Sequence, residues 1–392
     1  MAVSPVSRFG RRSPPPAAPT VSHRCRTLTD CDCCVTMCSI LLSAAQGVRM
    51  SSHHLTATRL TVTAALLAVL AGCSPGGNTA QAPRATGSVP ADSGQAAAPS
   101  SGSPFWVDPD SPAARQVRAY EAAGRTADAR VLRRIAEQPA AVWPSGGDPV
   151  PDVTRAVRGA ADEGRTVILV AYNIPHRDCG QYSAGGAADA GAYRAWVDAF
   201  ADAVGDAPAI VVLEPDAVPH LVDGCAGGAA QERYALLSEA VDRLKRQPHT
   251  KVYVDAGNPA WIKDPGKVVE PLRRAGVDRA DGFSLNVANF QTTDEVTAFG
   301  SQVSALLGGA HFTVDTSRNG AGPLPGGGAE AWCNPPGRAL GTPPTLRTGV
   351  PRVDAYLWVK RPGESDGTCR GGPPAGTWWP EYALGLARRA AG

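Results

Sequence analysis

The stretch at residues 209–219 reads AIVVLEPDAVP and contains the clearest predicted strand of the chain. Its first five residues, Ala209–Leu213, are apolar, with no polar residue among them. A short apolar run of this kind is typical of a strand buried on both faces, as in a parallel sheet. The run continues directly into Glu214-Pro215-Asp216, so two carboxyl groups follow the strand.

Similar apolar runs alternate with stretches of helical spacing along residues 104–392. Further strands are predicted at 141–143, 166–172, 251–255, 282–287, 311–315 and 355–360. Helices are predicted at 192–204, 231–246 and 295–307. Repeated βα units in one domain of this size indicate either a barrel or a doubly wound sheet.

Five of the predicted strands end in an aspartate or are closely followed by one, and this regularity favours the barrel. The aspartates are Asp178, Asp216, Asp255, Asp315 and Asp366. The carboxyl ends of barrel strands open onto one face, where catalytic groups collect. A single Asp after a strand is usually a helix cap or a turn residue. Five of them, with aromatic residues nearby, indicate an active site at that face.

Residues 50–72 have the features of a secretory signal sequence. A weakly basic start at 53–59 precedes an apolar core at 60–70, which is too short to span a bilayer. The core closes with Leu-Ala-Gly before Cys73, a pattern that resembles a bacterial lipobox and implies lipidation of Cys73 after cleavage. The alternative is an ordinary signal peptide with an incidental cysteine.

Composition separates the remaining amino-terminal segments from the folded domain. If Met50 is the true start, residues 1–49 are expected to be a misassigned upstream start or a disordered segment. Residues 73–103 are rich in Gly, Pro, Ser and Ala and contain no aromatic residue. Such a segment buries too little apolar surface to offset chain entropy, so it is predicted to be a flexible linker. The folded domain is expected at 104–392.

Composition and charge also argue against several kinds of partner. Lys and Arg number 38 against 36 Asp and Glu, without basic blocks, which disfavours nucleic-acid binding. No apolar run reaches the length of a membrane span, so membrane contact is expected only through lipid on Cys73. Five cysteines at 25–38, with His23, offer an alternative interpretation as a metal site. Because zinc sites usually pair ligands across a folded loop, no metal and no cofactor is predicted.

Two segments carry the most specific pattern of the chain. Residues 170–186 read VAYNIPHRDCGQYSAGG, and residues 210–219 read IVVLEPDAVP. Together they resemble glycoside hydrolase family 6, the cellulases that include endoglucanases and cellobiohydrolases. Further matches spread over nearly all of the domain: DAGN at 255–258, NVAN at 286–289, DTSRNG at 315–320, WCN at 332–334 and WVKRPGESDG at 358–367.

The resemblance implies inverting hydrolysis of internal β-1,4-glucosidic bonds in a distorted parallel (β/α) barrel. Asp216 matches the general acid, which needs burial or a nearby carboxylate to keep its proton near neutral pH. Asp178 resembles that second carboxylate, Asp366 the candidate base, and Asp255 a supporting acid. For Asp178 the alternative is an ion pair with Arg177, although adjacent strand residues point apart.

The same resemblance implies a set of sugar contacts. Tyr172 matches a tyrosine beneath the sugar at the cleavage point, and Ser183 lies on a Gly-rich stretch that is mobile in relatives. A flat indole covers the apolar face of a glucose ring, so tryptophans beside the motifs fit stacking platforms, although a lone Trp is more often part of the core. The implied substrate-binding residues are Tyr172, Ser183, Trp143, Trp261, Asn289, Trp332, Lys360 and Glu364.

Four cysteines fall within the predicted exported domain, and three pairings are open to them. The resemblance implies the pairs Cys179–Cys225 and Cys333–Cys369. Each bridge would tie down a loop at the rim of the active site and restrict the unfolded chain. Disulfides form in oxidising environments outside the cytosol, so the predicted export is consistent with both bridges.

The resemblance also bears on the mode of cleavage. Exo-acting relatives roof the cleft with two long loops, in segments that correspond to 179–225 and 333–369, and both look short here. Asp264 stands where exo-acting relatives often carry a second tryptophan after the one at Trp261. We therefore expect a monomeric endoglucanase acting on β-1,4-glucan. The alternatives are a cellobiohydrolase, an enzyme for another glucan, and a non-catalytic glucan-binding lipoprotein.

Overall fold

Parallel strands form one curled sheet in the computed structural model, which describes residues 102–225 and 227–390. The six strands of this part are β1 Val167–Ala171, β2 Ala209–Leu213, β3 Thr250–Asp255, β4 Gly282–Leu285, β5 His311–Asp315 and β6 Val353–Leu357. They pair in chain order, and every neighbouring pair is parallel. The predicted signal sequence, Cys73 and nearly all of the predicted linker lie outside the described residues.

The strands are buried on both faces, as their apolar sequences predict. Alternate side chains point to opposite sides of a strand, and they separate here into two groups of contacts. Ile168, Val170 and Val212 pack in the interior of the curled sheet. Leu169 and Val211 pack outward, against the surrounding helices. A strand covered on both sides has no need of polar residues, which explains the uninterrupted apolar runs.

Helices surround the outer face of the sheet. Those described are α1 Pro112–Ala122, α2 Thr126–Ala136, α3 Val150–Asp162, α4 Ala190–Val204, α5 Ala217–Val222, α6 Ala230–Leu244, α7 Gly266–Arg274, α8 Thr293–Leu306 and α9 Pro380–Arg389. Five of them, α3, α4, α6, α7 and α8, bury their apolar stripes against the sheet. The remaining long helices, α1, α2 and α9, form a separate cluster around Trp358 and Leu340. In the described part of the chain, no helix combines the length and the apolar character needed to cross a membrane.

A short segment at 141–142 joins the two edges of the sheet. Ala141 donates its N–H to the carbonyl of Trp358, just beyond β6, at 2.9 Å, and Val142 donates to Ile168 in β1 at 2.9 Å. Val142 in turn accepts from Val170 at 3.0 Å. The predicted strand at 141–143 is therefore a single parallel bridge. It draws β1 and β6 together, and the predicted distorted parallel barrel is confirmed.

The connection from β5 to β6 is irregular and runs down beside the sheet. Asn319 bridges to Ala339, and Thr345 and Tyr356 exchange N–H···O bonds of 2.9 and 3.0 Å. The indole N–H of Trp358 donates to the carbonyl of Thr342 at 2.9 Å. These contacts hold residues 339–345 against β6 and against the segment that follows β5.

Replacing Phe312 of β5 tests how much the interface between the sheet and the helices contributes to the free energy of unfolding. Its ring is fully buried and stacks on Phe283 at 5.1 Å, beneath Gly300 of α8. Phe312→Ala should lower the free energy of unfolding by about 3–5 kcal/mol, because it leaves a cavity in a closely packed layer. Urea unfolding followed by circular dichroism measures this change.

The control for Phe312→Ala is Leu306→Ala at the end of α8, where the side chain is half exposed. This control should change the unfolding free energy by no more than about 0.5 kcal/mol. Equal losses in the two variants would contradict the assignment of this interface to the core.

Candidate active site

A cleft of about 530 Å³ crosses the carboxyl ends of the strands. This end of a parallel barrel brings the loops of different strands together. Ten of the predicted site residues line it: Trp143, Tyr172, Asp178, Ser183, Asp216, Trp261, Asn289, Trp332, Lys360 and Asp366. Asp255 and Glu364 do not line the cleft.

Asp216 lies directly after β2, in a left-handed backbone conformation with φ 71°. Its main-chain N–H donates to Asp255 Oδ2 at 2.9 Å, and the Tyr172 hydroxyl approaches its Oδ2 at 3.5 Å. Burial raises the pKa of Asp216 to about 6, with a further increase from the Asp178 charge and a partial decrease from His220. A carboxyl group with this pKa keeps a large protonated fraction in weakly acidic solution.

Asp178 follows β1 and organises the loop that carries Ser183. Its Oδ2 accepts the N–H of Ser183 at 2.7 Å, and its Oδ1 lies 3.8 Å from His220 Nε2. Arg177 turns the other way and donates to the carbonyls of Tyr172 and Ser183 at 2.7 and 2.9 Å. The structure thus shows no ion pair between Arg177 and Asp178, so Asp178 remains available to the cleft.

Asp255 lies beneath the cleft floor with only 1% of its surface exposed. Its Oδ2 accepts the N–H of Asp216 at 2.9 Å and that of Gly257 at 3.3 Å. Burial, followed by the Asp216 charge, raises the pKa of Asp255 well above its usual range. Asp255 therefore positions the Asp216 main chain from below.

Asp366 is surrounded by cations on the opposite side of the cleft. Arg318 Nη1 donates to its Oδ2 at 2.9 Å, and Lys360 Nζ lies 3.6 Å from its Oδ1. The main-chain N–H of Asn334 donates to the same Oδ2 at 3.0 Å. Burial lowers the pKa of Lys360, and the Asp366 charge opposes that decrease. Two cations neutralise Asp366, whereas Asp178 faces the imidazole of His220.

Aromatic side chains form the walls of the cleft. Trp143 donates its indole N–H to the carbonyl of Val359 at 2.8 Å and meets Tyr172 edge-on at 5.4 Å. Trp261 donates to Asp223 Oδ2 at 3.2 Å. Each hydrogen bond fixes the plane of an indole ring, which then offers a flat apolar surface to a sugar.

The two remaining predicted sugar contacts differ in their surroundings. Asn289 lines the cleft, and its Oδ1 accepts the side-chain N–H of Gln291 at 3.2 Å. Glu364 is buried and forms an ion pair of 2.8 Å with Arg361. Its carboxylate faces this guanidinium and lies outside the cleft lining, so its contact with sugar stays a prediction.

Sequence analysis noted Asp315 and Glu214 at strand ends but gave neither a role in the site, although both hold this end of the barrel together. Buried Asp315 accepts four main-chain N–H groups at 2.9–3.2 Å, from Ala288, Ser317, Val359 and Lys360. Glu214 accepts those of Asn173 and Ile174 at 2.9 and 3.0 Å, and burial raises its pKa to about 7. His220 and Asp223 were missed. The position of a carboxyl group at the end of an apolar strand was the signal for Asp315 and Glu214.

Two disulfides brace the rim of the cleft. The structure joins Cys179 to Cys225 and Cys333 to Cys369, each with Cα atoms 6.3 Å apart, and these are the pairs that the resemblance implies. His220 lies against the first bridge, so that these three residues form a group of metal-ligating types. Because both sulfurs are bonded to each other, no thiolate is available there for a metal.

A parallel barrel with carboxyl groups and aromatic walls at the carboxyl ends of its strands is the arrangement of a glycoside hydrolase. The family model described as glycosyl hydrolases family 6 matches residues 100–390. The chain belongs to this family.

Curated relatives of the chain carry endoglucanase names. It is 42% identical over 299 residues to endoglucanase A of Cellulomonas fimi, covering 74% of this chain and 62% of that relative. It is 44% identical over 291 residues to endoglucanase 1 of Streptomyces halstedii, covering 71% of this chain and 87% of that relative. The match thus spans less than two thirds of the first of these relatives.

A solved structure agrees with the fold. The endoglucanase Cel6 of Mycobacterium tuberculosis, in complex with methyl-cellobiosyl-4-deoxy-4-thio-β-D-cellobioside, is 45% identical with a TM-score of 0.68. The similarity covers 74% of this chain and 98% of that one. A probable cellobiohydrolase C of Neosartorya fischeri is more distant, at 28% identity over 310 residues, 63% of this chain and 69% of that relative.

The charge on Asp178 should have a measurable effect on the pKa of Asp216. Asp178→Asn keeps an oxygen to accept the Ser183 N–H but removes the negative charge, so the pKa of Asp216 should fall below about 6. A ¹³C carboxyl NMR titration of Asp-labelled protein measures the shift. The control Asp198→Asn, at an exposed site on α4, should leave that titration unchanged. An Asp216 pKa that does not move in Asp178→Asn would contradict the coupling.

Proposed function

We propose that this protein hydrolyses internal β-1,4-glucosidic bonds of cellulose or a related β-glucan with inversion at the anomeric carbon. The observation that carries the proposal is the pair formed by Asp216 and Asp178. Asp216 faces the cleft with its pKa raised to about 6, and Asp178 lines the same cleft without an arginine or lysine partner among the described residues. An inverting glycosidase requires one carboxyl group that donates a proton and a second group that receives one.

In the proposed reaction Asp216 protonates the leaving glycosidic oxygen as the bond from that oxygen to the anomeric carbon breaks. A water molecule attacks the same carbon from the opposite face, and its proton passes to Asp178. The two carboxyl groups thus exchange protonation states, and solvent restores them. Since Asp216 must start protonated, activity should fall as pH rises through about 6. Tyr172 contacts Asp216 from the cleft wall and would support a distorted sugar ring at this point.

The aromatic walls support a chain of β-linked glucose units as the substrate. Trp143 lies at the seam of the barrel, whereas Trp261 follows β3, so the two indoles lie on different sides of Asp216. A glucan lying along the cleft could stack on both. Relatives named endoglucanases, and one structure with a bound cellobiosyl compound, support the same substrate class.

The described loops favour an open cleft and hence endo action. Between Cys333 and Cys369 only Lys360 and Asp366 line the cleft, and residues 339–345 run beside β6. Between Cys179 and Cys225, α4, β2 and α5 take up much of the chain, and the longest stretch left at the cleft is residues 179–189. A roof that encloses a chain end needs long loops in these two segments.

Viscometry distinguishes the proposed function from its alternatives. With carboxymethylcellulose, the native protein should lower viscosity rapidly for each reducing end released, because internal cuts shorten chains most. Asp216→Ala should reduce kcat by at least about 100-fold, because the proton donor is removed. Asp206→Ala, on the exposed turn after α4, is the control and should keep full activity.

Other outcomes of the same assay would favour the alternatives. Steady release of cellobiose with little change in viscosity would identify a cellobiohydrolase. Faster hydrolysis of a mixed-linkage glucan would identify a different preferred polymer. Binding of glucan without hydrolysis would identify a non-catalytic glucan-binding protein and overturn the proposed activity.

We further propose that the protein is exported and anchored by lipid on Cys73, and that it acts as a monomer. The support is the sequence at 53–73, with its apolar core and its Leu-Ala-Gly-Cys ending. A lipid on the first residue of the mature chain would hold the enzyme at the membrane, while residues 74–103 allow it to reach polymer outside the cell. Gel filtration of the protein without lipid tests the monomer.

Lipidation predicts a clear difference between two variants. In a bacterial host given labelled palmitate, the native chain should incorporate label and sediment with membranes. Cys73→Ala should do neither, since no thiol is present to be modified, whereas the neighbouring Ser74→Ala should behave as the native chain does. A native chain that is secreted without label would contradict the anchor and support an ordinary signal peptide.

A further inference from the structure

His220 is a buried residue in the cleft wall to which the proposed mechanism gives no part. It lies in α5, the short helix that begins after Asp216, and its main-chain N–H donates to the Asp216 carbonyl at 2.9 Å. The side chain is only 4% exposed, yet it contributes to the cleft lining. A buried imidazole beside the carboxyl pair affects the charge of that pair.

Two carboxylates face the two nitrogens of the imidazole ring. Nε2 lies 3.8 Å from Asp178 Oδ1, and Nδ1 lies 3.5 Å from Asp223 Oδ2. Within residues 102–225 and 227–390, neither nitrogen has a hydrogen-bond partner of good geometry. At these distances a small movement or one bridging water completes each bond. A doubly protonated ring can donate to both carboxylates, whereas a neutral ring can donate to only one.

Asp223 links His220 to a wall of the cleft. Its Oδ2, which faces His220 Nδ1, also accepts the indole N–H of Trp261 at 3.2 Å. The His220 and Trp261 rings meet nearly edge-on, with centroids 4.9 Å apart. The imidazole therefore contacts the Trp261 platform both directly and through a shared carboxylate.

The charged groups that face His220 from the surrounding elements are carboxylates, and all of them are negative. Burial lowers the pKa of His220, but Asp178 after β1 and Asp216 and Asp223 at the two ends of α5 outweigh burial and raise it. Arg233 of α6 is directed elsewhere and donates to the carbonyl of His176 at 3.0 Å. The disulfide between Cys179 and Cys225 closes the remaining side without charge.

We propose that His220 is a positioning residue that joins the Asp178–Asp216 pair to the Trp261 platform, with its imidazolium spanning the carboxylates of Asp178 and Asp223. The inference rests on the proposed hydrolytic function and adds a residue to it. The disulfide ties the main chains of the two loops together, and the imidazolium ties their side chains. The orientation of Trp261 and the charge at Asp178 then both depend on the His220 ring.

The charge of His220 has a defined effect on activity. An imidazolium favours the ionised form of Asp216, so removing it should raise the pKa of that carboxyl group. Asp216 then remains protonated to higher pH. The basic limb of the activity profile should therefore move upward, by about half to one pH unit.

Three variants test this effect in the full-length protein. His220→Gln removes the charge and keeps a polar group, whereas His220→Phe keeps a ring against Trp261 without nitrogen. His249→Gln is the matched control, since His249 is exposed after α6 and outside the cleft. The measurements are kcat and KM for soluble cello-oligosaccharides between pH 4 and 8, in buffers of constant ionic strength.

We expect the basic limb to move upward in His220→Gln and His220→Phe, with kcat about tenfold lower at the new optimum because the carboxyl pair is less well placed. His249→Gln should match the native protein. A merely structural role would lower activity equally at every pH without moving the basic limb, and that result would overturn the proposal. A native profile in His220→Phe would overturn it as well, because shape alone would then suffice.

The link to Trp261 has its own test. In a double-mutant cycle, His220→Gln should raise KM when Trp261 is present and should have little further effect on KM in a Trp261→Ala background. Additive effects on KM would overturn the link to the platform.

An NMR titration keeps the proposal testable if a His220 variant does not fold or if the native protein is inactive. Asp178→Asn should lower the pKa of the His220 ring measured from its ring carbon and proton signals, because one facing carboxylate is lost. An unchanged titration would overturn the proposal. Inactivity of the native protein on every β-glucan would instead overturn the proposed function, so the two failures can be distinguished.

Discussion

Buried carboxylates that accept main-chain N–H groups hold the carboxyl end of this barrel in place. Asp315 receives four such groups from the loops after β4, β5 and β6, Glu214 ties the loop after β1 to the end of β2, and Asp255 fixes the main chain of Asp216. Loops that leave a parallel sheet expose N–H groups that lack a partner in the ladder. A carboxylate can satisfy several of them at once, and each group it accepts fixes the direction of another loop.

The same burial gives the candidate site its chemistry. Removing water from a carboxyl group disfavours its charged form, and this effect is the largest cause of the raised pKa of both Glu214 and Asp216. Glu214 uses its oxygens to accept main-chain groups, whereas Asp216 faces the cleft, where a substrate oxygen can reach it. Burial of a carboxyl group therefore serves the structure at Glu214 and the proposed catalysis at Asp216.

Local backbone conformation supports this arrangement. Asp178, Glu214 and Asp216 all have positive φ values, between 47° and 71°, which residues with a side chain rarely adopt. Such strained positions persist where the surroundings fix them, and they concentrate at functional sites. Here the hydrogen bonds of the buried carboxylates and the disulfide at Cys179 provide that constraint. His220 lies where these elements meet, which is why a single imidazole contacts both the carboxyl pair and an aromatic wall.

From the sequence, the uninterrupted apolar runs predicted parallel strands covered on both faces, and the aspartates at strand ends favoured the barrel over a doubly wound sheet. Most cleft residues were also placed correctly at strand ends. The sequence did not predict features that depend on local backbone conformation or on the direction of a side chain. β4 ends at Leu285 because Asn286 turns to φ 66°. The helices α1 and α9 were not predicted, although Pro112 and Pro380 mark their starts and each helix buries an apolar face. The fold had to be known before Asp255 could be placed beneath Asp216, Glu364 beside Arg361, and His220 between two carboxylates. Side-chain direction and desolvation depend on neighbours distant in the chain, and sequence order does not specify them.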